Sequence, residues 1–160
     1  MEKPIRKLPR MKGFDYYQED AYFVTICSYE NKHIFGKISK INGVNNFLPS
    51  RIGEIVQDTF FRLPERFPEF ELIHFSLLPN HLHFLVLKKD IDIQRKSSLS
   101  QFIGAFKSLS DRAVRNEMSI IKIWQKSFND HIIRNEKDLQ THWLYIEENV
   151  NRWGEDEYFL

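Results

Sequence analysis

The order of apolar periodicities predicts an α+β domain, a ferredoxin-like sandwich in which helices pack on one antiparallel sheet. Strand-like runs and helical stripes follow one another as strands, helix, two strands, helix, strand, helix, without repeat or linker. The composition is that of a globular core: 42% of the 160 residues are hydrophobic and 28% charged, which excludes collagen-like, low-complexity and disordered classes. With 14 Phe against 6 Gly and 6 Pro, the core is expected to be rich in rings and the loops few. The length suits one domain, placed at residues 13–153.

Each element has its own signature. Residues 1–12 carry Lys3, Arg6, Lys7, Arg10 and Lys12 against Glu2, with Pro4 and Pro9, and read as a basic arm; such charge runs are more often solubilising termini than phosphate-contacting tails. Ala21 to Ser28 is β-branched and aromatic, and His33 to Ile41 follows a polar turn, which predicts a hairpin between the two. Ile52, Ile55, Val56, Phe60 and Leu63 recur at helical spacing, with Ser50 as N-cap and Pro64 as stop. Phe70–Leu78 and His81–Leu87 are strand-like runs separated by Pro79-Asn80, a turn dipeptide. Ser98 or Ser100 caps a helix whose stripe is Phe102, Phe106, Leu109 and Ala113. Residues 122–133 read as a short strand or two. Asn135 caps a last helix to about Arg152, and residues 154–160 form a short acidic tail.

A single cysteine, Cys27, and no N-terminal apolar stretch of signal-peptide length argue against secretion. The longest apolar run, around Leu77–Leu87, is broken by Pro79, Asn80 and two histidines and is too short to span a bilayer, so a cytoplasmic protein is expected. A net charge of +1 lacks the overall basic footprint of a nucleic-acid binder, so polyanion binding must rest on local patches.

Among six histidines, only His81 and His83 are paired closely. Two apart in a strand, their rings project from one face, the geometry for two ligands on one metal, at the mouth of a strand where water can enter. A strand histidine is nonetheless more often a satisfied core residue. In the last helix, Leu139, Trp143, Ile146 and Val150 form the apolar stripe, and Tyr145 falls roughly 130° from its centre. Asn149, four residues on, shares that flank, although a surface tyrosine beside a surface asparagine is common.

The run Leu77-Leu78-Pro79-Asn80-His81-Leu82-His83-Phe84-Leu85 resembles the His-hydrophobic-His segment of single-tyrosine HUH transposases of the IS200/IS605 type, and most closely their relatives associated with repetitive extragenic palindromes (REP). Gly13-Phe14-Asp15-Tyr16, Ala21–Thr25, Ile34-Phe35-Gly36, Ile103–Ser108, Trp124-Gln125 and His131–Asn135 agree in order, so the likeness runs from about Gly13 to Trp153. It departs at Val150, where many relatives have proline, and at Leu78, where methionine is usual. The resemblance implies that His81, His83 and Asn149 hold a divalent ion, Mg²⁺ or Mn²⁺, and that Tyr145 attacks single-stranded DNA with hairpin ends. The products would be a 5′-phosphotyrosine and a free 3′-hydroxyl, and another strand's hydroxyl would reverse the step and join ends. It also implies a homodimer in which Tyr145 can complete the partner's site. Tyr16 and Tyr17 are candidates for base stacking, and Lys107, Arg112 and Arg115 for phosphate contacts. Two other classes fit the residues: a non-catalytic nucleic-acid-binding module of the same fold, and a small metal-dependent hydrolase in which Tyr145 is structural.

Overall fold

The computed structural model describes residues 20–120 and 122–155; the basic arm, Tyr16, Tyr17 and all but the first residues of the acidic tail lie outside the described residues. Pro79-Asn80 turns the chain between β4 (Phe70–Leu78) and β5 (His81–Lys88), which pair antiparallel. On the other side of β5 lies β1 (Asp20–Cys27), and β1 in turn pairs antiparallel with β6 (Asn129–Ile132), giving the sheet order β4-β5-β1-β6. The two long helices α1 (Arg51–Arg62) and α2 (Leu99–Glu117) connect β1's side of the chain to β4, and β5 to β6. The order of these sheet strands, second-third-first-fourth along the chain, is that of a ferredoxin-like sandwich, as expected.

Strand alternation decides what each face covers. Val24 and Ile26 of β1 and Leu82, Phe84 and Val86 of β5 point to α1 and α2, meeting Ile52, Val56, Phe60, Phe102, Ile103 and Phe106 in the main core. The expected ring-rich interior is there: Phe60 lies 4.6 Å from Phe75, 4.8 Å from Phe84 and 5.4 Å from Phe106, centroid to centroid. The opposite parity, Ala21 of β1 with Leu85 and Leu87 of β5, packs with Ile133 and with Leu139 and Ile146 of α3 (Glu136–Glu148). His81, His83 and Thr25 share this second parity and so lie on the α3 face.

The helix starts follow their caps. Ser50 Oγ accepts from Gly53 N at 3.1 Å, Ser98 and Gln101 exchange hydrogen bonds in a capping box, and Asn135 Oδ1 accepts from Asp138 N at 2.8 Å. Within α2 the buried positions are Phe102, Ile103, Phe106, Ser110 and Val114, one step round from the expected Leu109 and Ala113, which pack at the core's margin.

The expected hairpin between β1 and the His33–Ile41 run does not form. Both edges of β1 are taken by β5 and β6, and β2 (Gly36–Ile41) pairs instead with β3 (Val44–Pro49) as a separate two-stranded sheet. The cause is Asn42-Gly43, with φ of +51° and +77°, a two-residue turn whose twist matches an antiparallel pair. The last helix also ends earlier than Arg152: Asn149 is its C-cap. No helix among the described residues is long and apolar enough to cross a membrane.

Candidate active site

The turn after β4 begins the site. Asn80 donates from Nδ2 to the carbonyl of Asn31 at 3.3 Å, which leaves Oδ1 to accept from His81 Nδ1 at 2.7 Å. An amide oxygen only accepts, so His81 carries its proton on Nδ1 and, when neutral, presents a lone pair on Nε2. That atom lies 3.1 Å from His83 Nε2. In a neutral pair His83 therefore donates from Nε2, and its Nδ1 accepts from Thr25 Oγ1 at 2.7 Å. Thr25 stands opposite His83 in the β1–β5 register, so the partner is delivered by strand pairing.

The pair is not at an open mouth, as its place beside a turn suggested. His81 is 0% and His83 1% exposed, because the segment after α3 folds back over them: Trp153 stacks on His81 at 5.9 Å. Tyr145 meets His83 edge-on at 5.2 Å, and both rings touch Phe23, at 5.9 and 5.3 Å. Phe23, Thr25, His83, Thr141, His142 and Tyr145 line a cavity of about 290 Å³. Tyr145 itself remains 40% exposed.

Asn149, the third expected ligand, does not lie on the surface as a plain surface asparagine would. At the end of α3 it is only 4% exposed, and its amide nitrogen is buried without a hydrogen-bond partner. Turning the amide about its last torsion exchanges nitrogen and oxygen, so this side chain is free to present its carbonyl oxygen. Two imidazole nitrogens 3.1 Å apart match the roughly 3.0–3.4 Å between neighbouring ligands of an ion bound at about 2.1 Å. The two histidines have the spacing of neighbouring ligands, and Asn149 adds a buried amide at the end of α3.

Sequence reasoning missed Thr25, Asn80, Trp153 and His142; Thr25 acts through cross-strand register and Trp153 through the chain's return, whereas Asn80 is the neighbour of His81 and His142 shares the tyrosine's helix. The candidate phosphate contacts divide differently. Lys107 spends its ammonium on the carbonyls of Gln125 and Ser127, each at 2.9 Å, and burial lowers its pKa; it is a strut between α2 and the chain before β6. Arg115 pairs with Asp111 at 2.7 Å.

Comparison with known proteins settles the family. The model of the family described as "Transposase IS200 like" matches residues 16–149, most of the chain. The chain belongs to the IS200-like transposase family. A protein of Haemophilus influenzae, described only as uncharacterized, is 28% identical over 97% of this chain and 93% of its own length. Among solved structures, a REP-associated tyrosine transposase bound to a REP hairpin is similar in fold, with a TM-score of 0.64 and 20% identity over 84% of this chain and 68% of that one. A transposase candidate from Deinococcus radiodurans R1 has a TM-score of 0.53 and 15% identity over 88% and 97% of the two chains.

Proposed function

We propose that this transposase-family protein cleaves and rejoins single-stranded DNA through a covalent bond between Tyr145 and a 5′-phosphate. The observation that carries the reading is the meeting of Tyr145 and His83 at 5.2 Å beside a cavity of about 290 Å³, with His81 and His83 aiming Nε2 at each other. His81, His83 and Asn149 would hold the ion, Mg²⁺ or Mn²⁺, and when bound it supplies charge neutralisation at the scissile phosphate and its leaving oxygen.

The chain's own residues do the rest. Asn80 and Thr25 hold the two rings by their Nδ1 atoms and so keep both Nε2 atoms directed inward. Half-exposed Tyr145 can reach a strand laid across the cavity, while Phe23 packs edge-on against its ring at 5.9 Å. In the step, a Tyr145 Oη–phosphorus bond forms, the phosphorus–O3′ bond breaks, and the proton lost from the phenol balances the one gained by the 3′-oxygen. The phosphotyrosine keeps the ester linkage, so a 3′-hydroxyl reverses the step without an external energy source. Substrates with hairpin ends are favoured by the likeness to a relative whose structure holds a REP hairpin. A homodimer belongs to the same reading.

The test is covalent capture. Tyr145→Phe is expected to bind single-stranded hairpin DNA within about twofold of the unaltered protein, yet to give no adduct on a denaturing gel, since only the attacking oxygen is gone. Adduct at unchanged yield would assign the attack to another residue. Absence of adduct from the unaltered chain with Mn²⁺ would favour a binding module or a hydrolase.

A further inference from the structure

A second set of ligand-type side chains lies on the far side of Phe23 from His83. His131 of β6 stands opposite Phe23 in the β1–β6 register, and its ring stacks on that of His142 of α3 at 4.6 Å. Asp138, one turn before His142, sits between them: Oδ2 is 2.8 Å from His131 Nε2, and Oδ1 is 3.1 Å from His142 Nδ1. One ligand atom from each of the three residues falls within 4.8 Å of the other two. All three side chains are partly buried, and His131 and Asp138 border an open cavity of about 480 Å³.

We propose that His131, Asp138 and His142 form a second divalent-metal site, of the zinc-binding type, that ties β6 to the first turns of the tyrosine helix. Two imidazoles and one carboxylate are a donor set suited to zinc, with a fourth position left for water. The two Asp138 oxygens lie 2.8 and 3.1 Å from the imidazole nitrogens, and one donor atom from each residue falls within 4.8 Å of the others, so small rotamer changes bring the set to the roughly 3.3 Å between ligands of a four-coordinate ion bound at about 2.0–2.1 Å. Spacing follows from local geometry: Asp138 and His142 are four apart on one helix face, and His131 reaches them from the strand just before.

Neither the fold nor a cap accounts for the whole arrangement. Asp138 also accepts from Arg134 N at 3.0 Å, which closes the turn into α3 and needs one carboxylate oxygen, not two. His142 Nδ1 lies 2.8 Å from the Asp138 carbonyl; the proton that makes that contact is the one an ion would displace.

The site is distinct from the His81/His83 pair, and the experiment keeps them apart. In the full chain carrying His81→Ala and His83→Ala, Zn²⁺ uptake measured by equilibrium dialysis is expected to remain at a single equivalent, and Co²⁺ to give visible absorption of a low-symmetry nitrogen and oxygen site. Zn²⁺ should also raise the melting temperature of the unaltered chain. Asp138→Asn and, independently, His131→Gln in that background should weaken uptake by at least about tenfold. His131 is the more exposed of the three, so its replacement leaves the fold able to answer if Asp138→Asn does not fold. Should the His81/His83 double variant fold and take up no Zn²⁺, or should His131→Gln retain full uptake, the second site is refuted. The adduct assay is unaffected by either outcome and continues to test the nuclease reading alone.

Discussion

Thr25→Val is the sharpest probe of the histidine pair, because it exchanges a hydroxyl for a methyl of nearly equal volume. Thr25 is 5% and His83 1% exposed, so bulk water replaces the lost 2.7 Å hydrogen bond to His83 Nδ1 only by way of the cavity beside them. Leaving that buried nitrogen unsatisfied costs about 1–3 kcal/mol of stability. A second cost falls on metal binding. The neutral, metal-free pair has its shared proton on His83 Nε2; an ion needs that nitrogen's lone pair, so the proton must move to Nδ1, where Thr25 changes from donor to acceptor. A hydroxyl serves both states and a methyl serves neither, so Mn²⁺ affinity should fall by about 10–100-fold, as for other supporting partners of ligating histidines. Thr25→Ser keeps the hydroxyl and loses a methyl, so it should lose about 1 kcal/mol of stability while retaining metal affinity. Calorimetric Mn²⁺ titration and urea midpoints of the three proteins separate the effects. Equal Mn²⁺ affinity in Thr25→Val and the unaltered protein, or equal loss in the serine and valine variants, would refute the tautomer argument.

Two further outcomes concern the fold. A Cβ at Gly53 would lie 2.0 Å from the carbonyl oxygen of Phe35, where α1 starts against the chain entering β2, so Gly53→Ala should cost at least about 3 kcal/mol or prevent folding; a urea midpoint near that of the unaltered protein would show that this approach relaxes cheaply. His74 stacks on Trp143 at 4.3 Å, and burial, only partly offset by Glu147, lowers its pKa from 6.5. The unfolded chain then takes up the proton first, so this contribution is complete above pH 6.5 and is lost as pH falls through the folded-state value; urea midpoints on either side of pH 6.5 should show a smaller acid loss for His74→Gln than for the unaltered chain, and parallel losses would remove His74 as the cause.

Much of this was legible in the chain because the signals were local. Ser50, Ser98 and Asn135 cap helices as their residue types dictate, and His81 and His83 share a face because strands alternate. The misplaced hairpin shows where locality ends: Asn42-Gly43 carried the turn signal, but the choice of β1's neighbours was made by β5 and β6, which come far later. The site shows the same division. Tyr145, off the apolar stripe, is half-exposed as the wheel implied, whereas Asn149, the C-cap of the helix, is buried, and Trp153 beyond it stacks on His81. Thr25 entered through cross-strand register, and no periodicity within β1 marks it.

The placement of Tyr145 on α3 bears on assembly. Helix α3 fully buries only Leu139 and Ile146 of its apolar residues, worth about 3–6 kcal/mol at 1.5–3 kcal/mol for each aliphatic side chain. Helix α1 buries Ile52, Ile55, Val56 and Phe60, about twice as much by the same rule. The helix with the candidate nucleophile is therefore the cheaper one to lift from the sheet, and it is joined to β6 by the few residues after Ile132. In the proposed homodimer an exchange of α3 between subunits would restore what lifting costs, since the partner offers the same face. His83→Ala and Tyr145→Phe proteins are each expected to form no adduct alone. If α3 is exchanged, mixing them gives heterodimers in which one of two sites has both residues, and adduct should return to about a quarter of the level of the unaltered protein when subunits pair at random. Mixed-tag pull-down establishes that heterodimers are present; if they are and no adduct returns, the tyrosine serves its own chain's histidines, and a monomer at working concentration removes the assembly altogether.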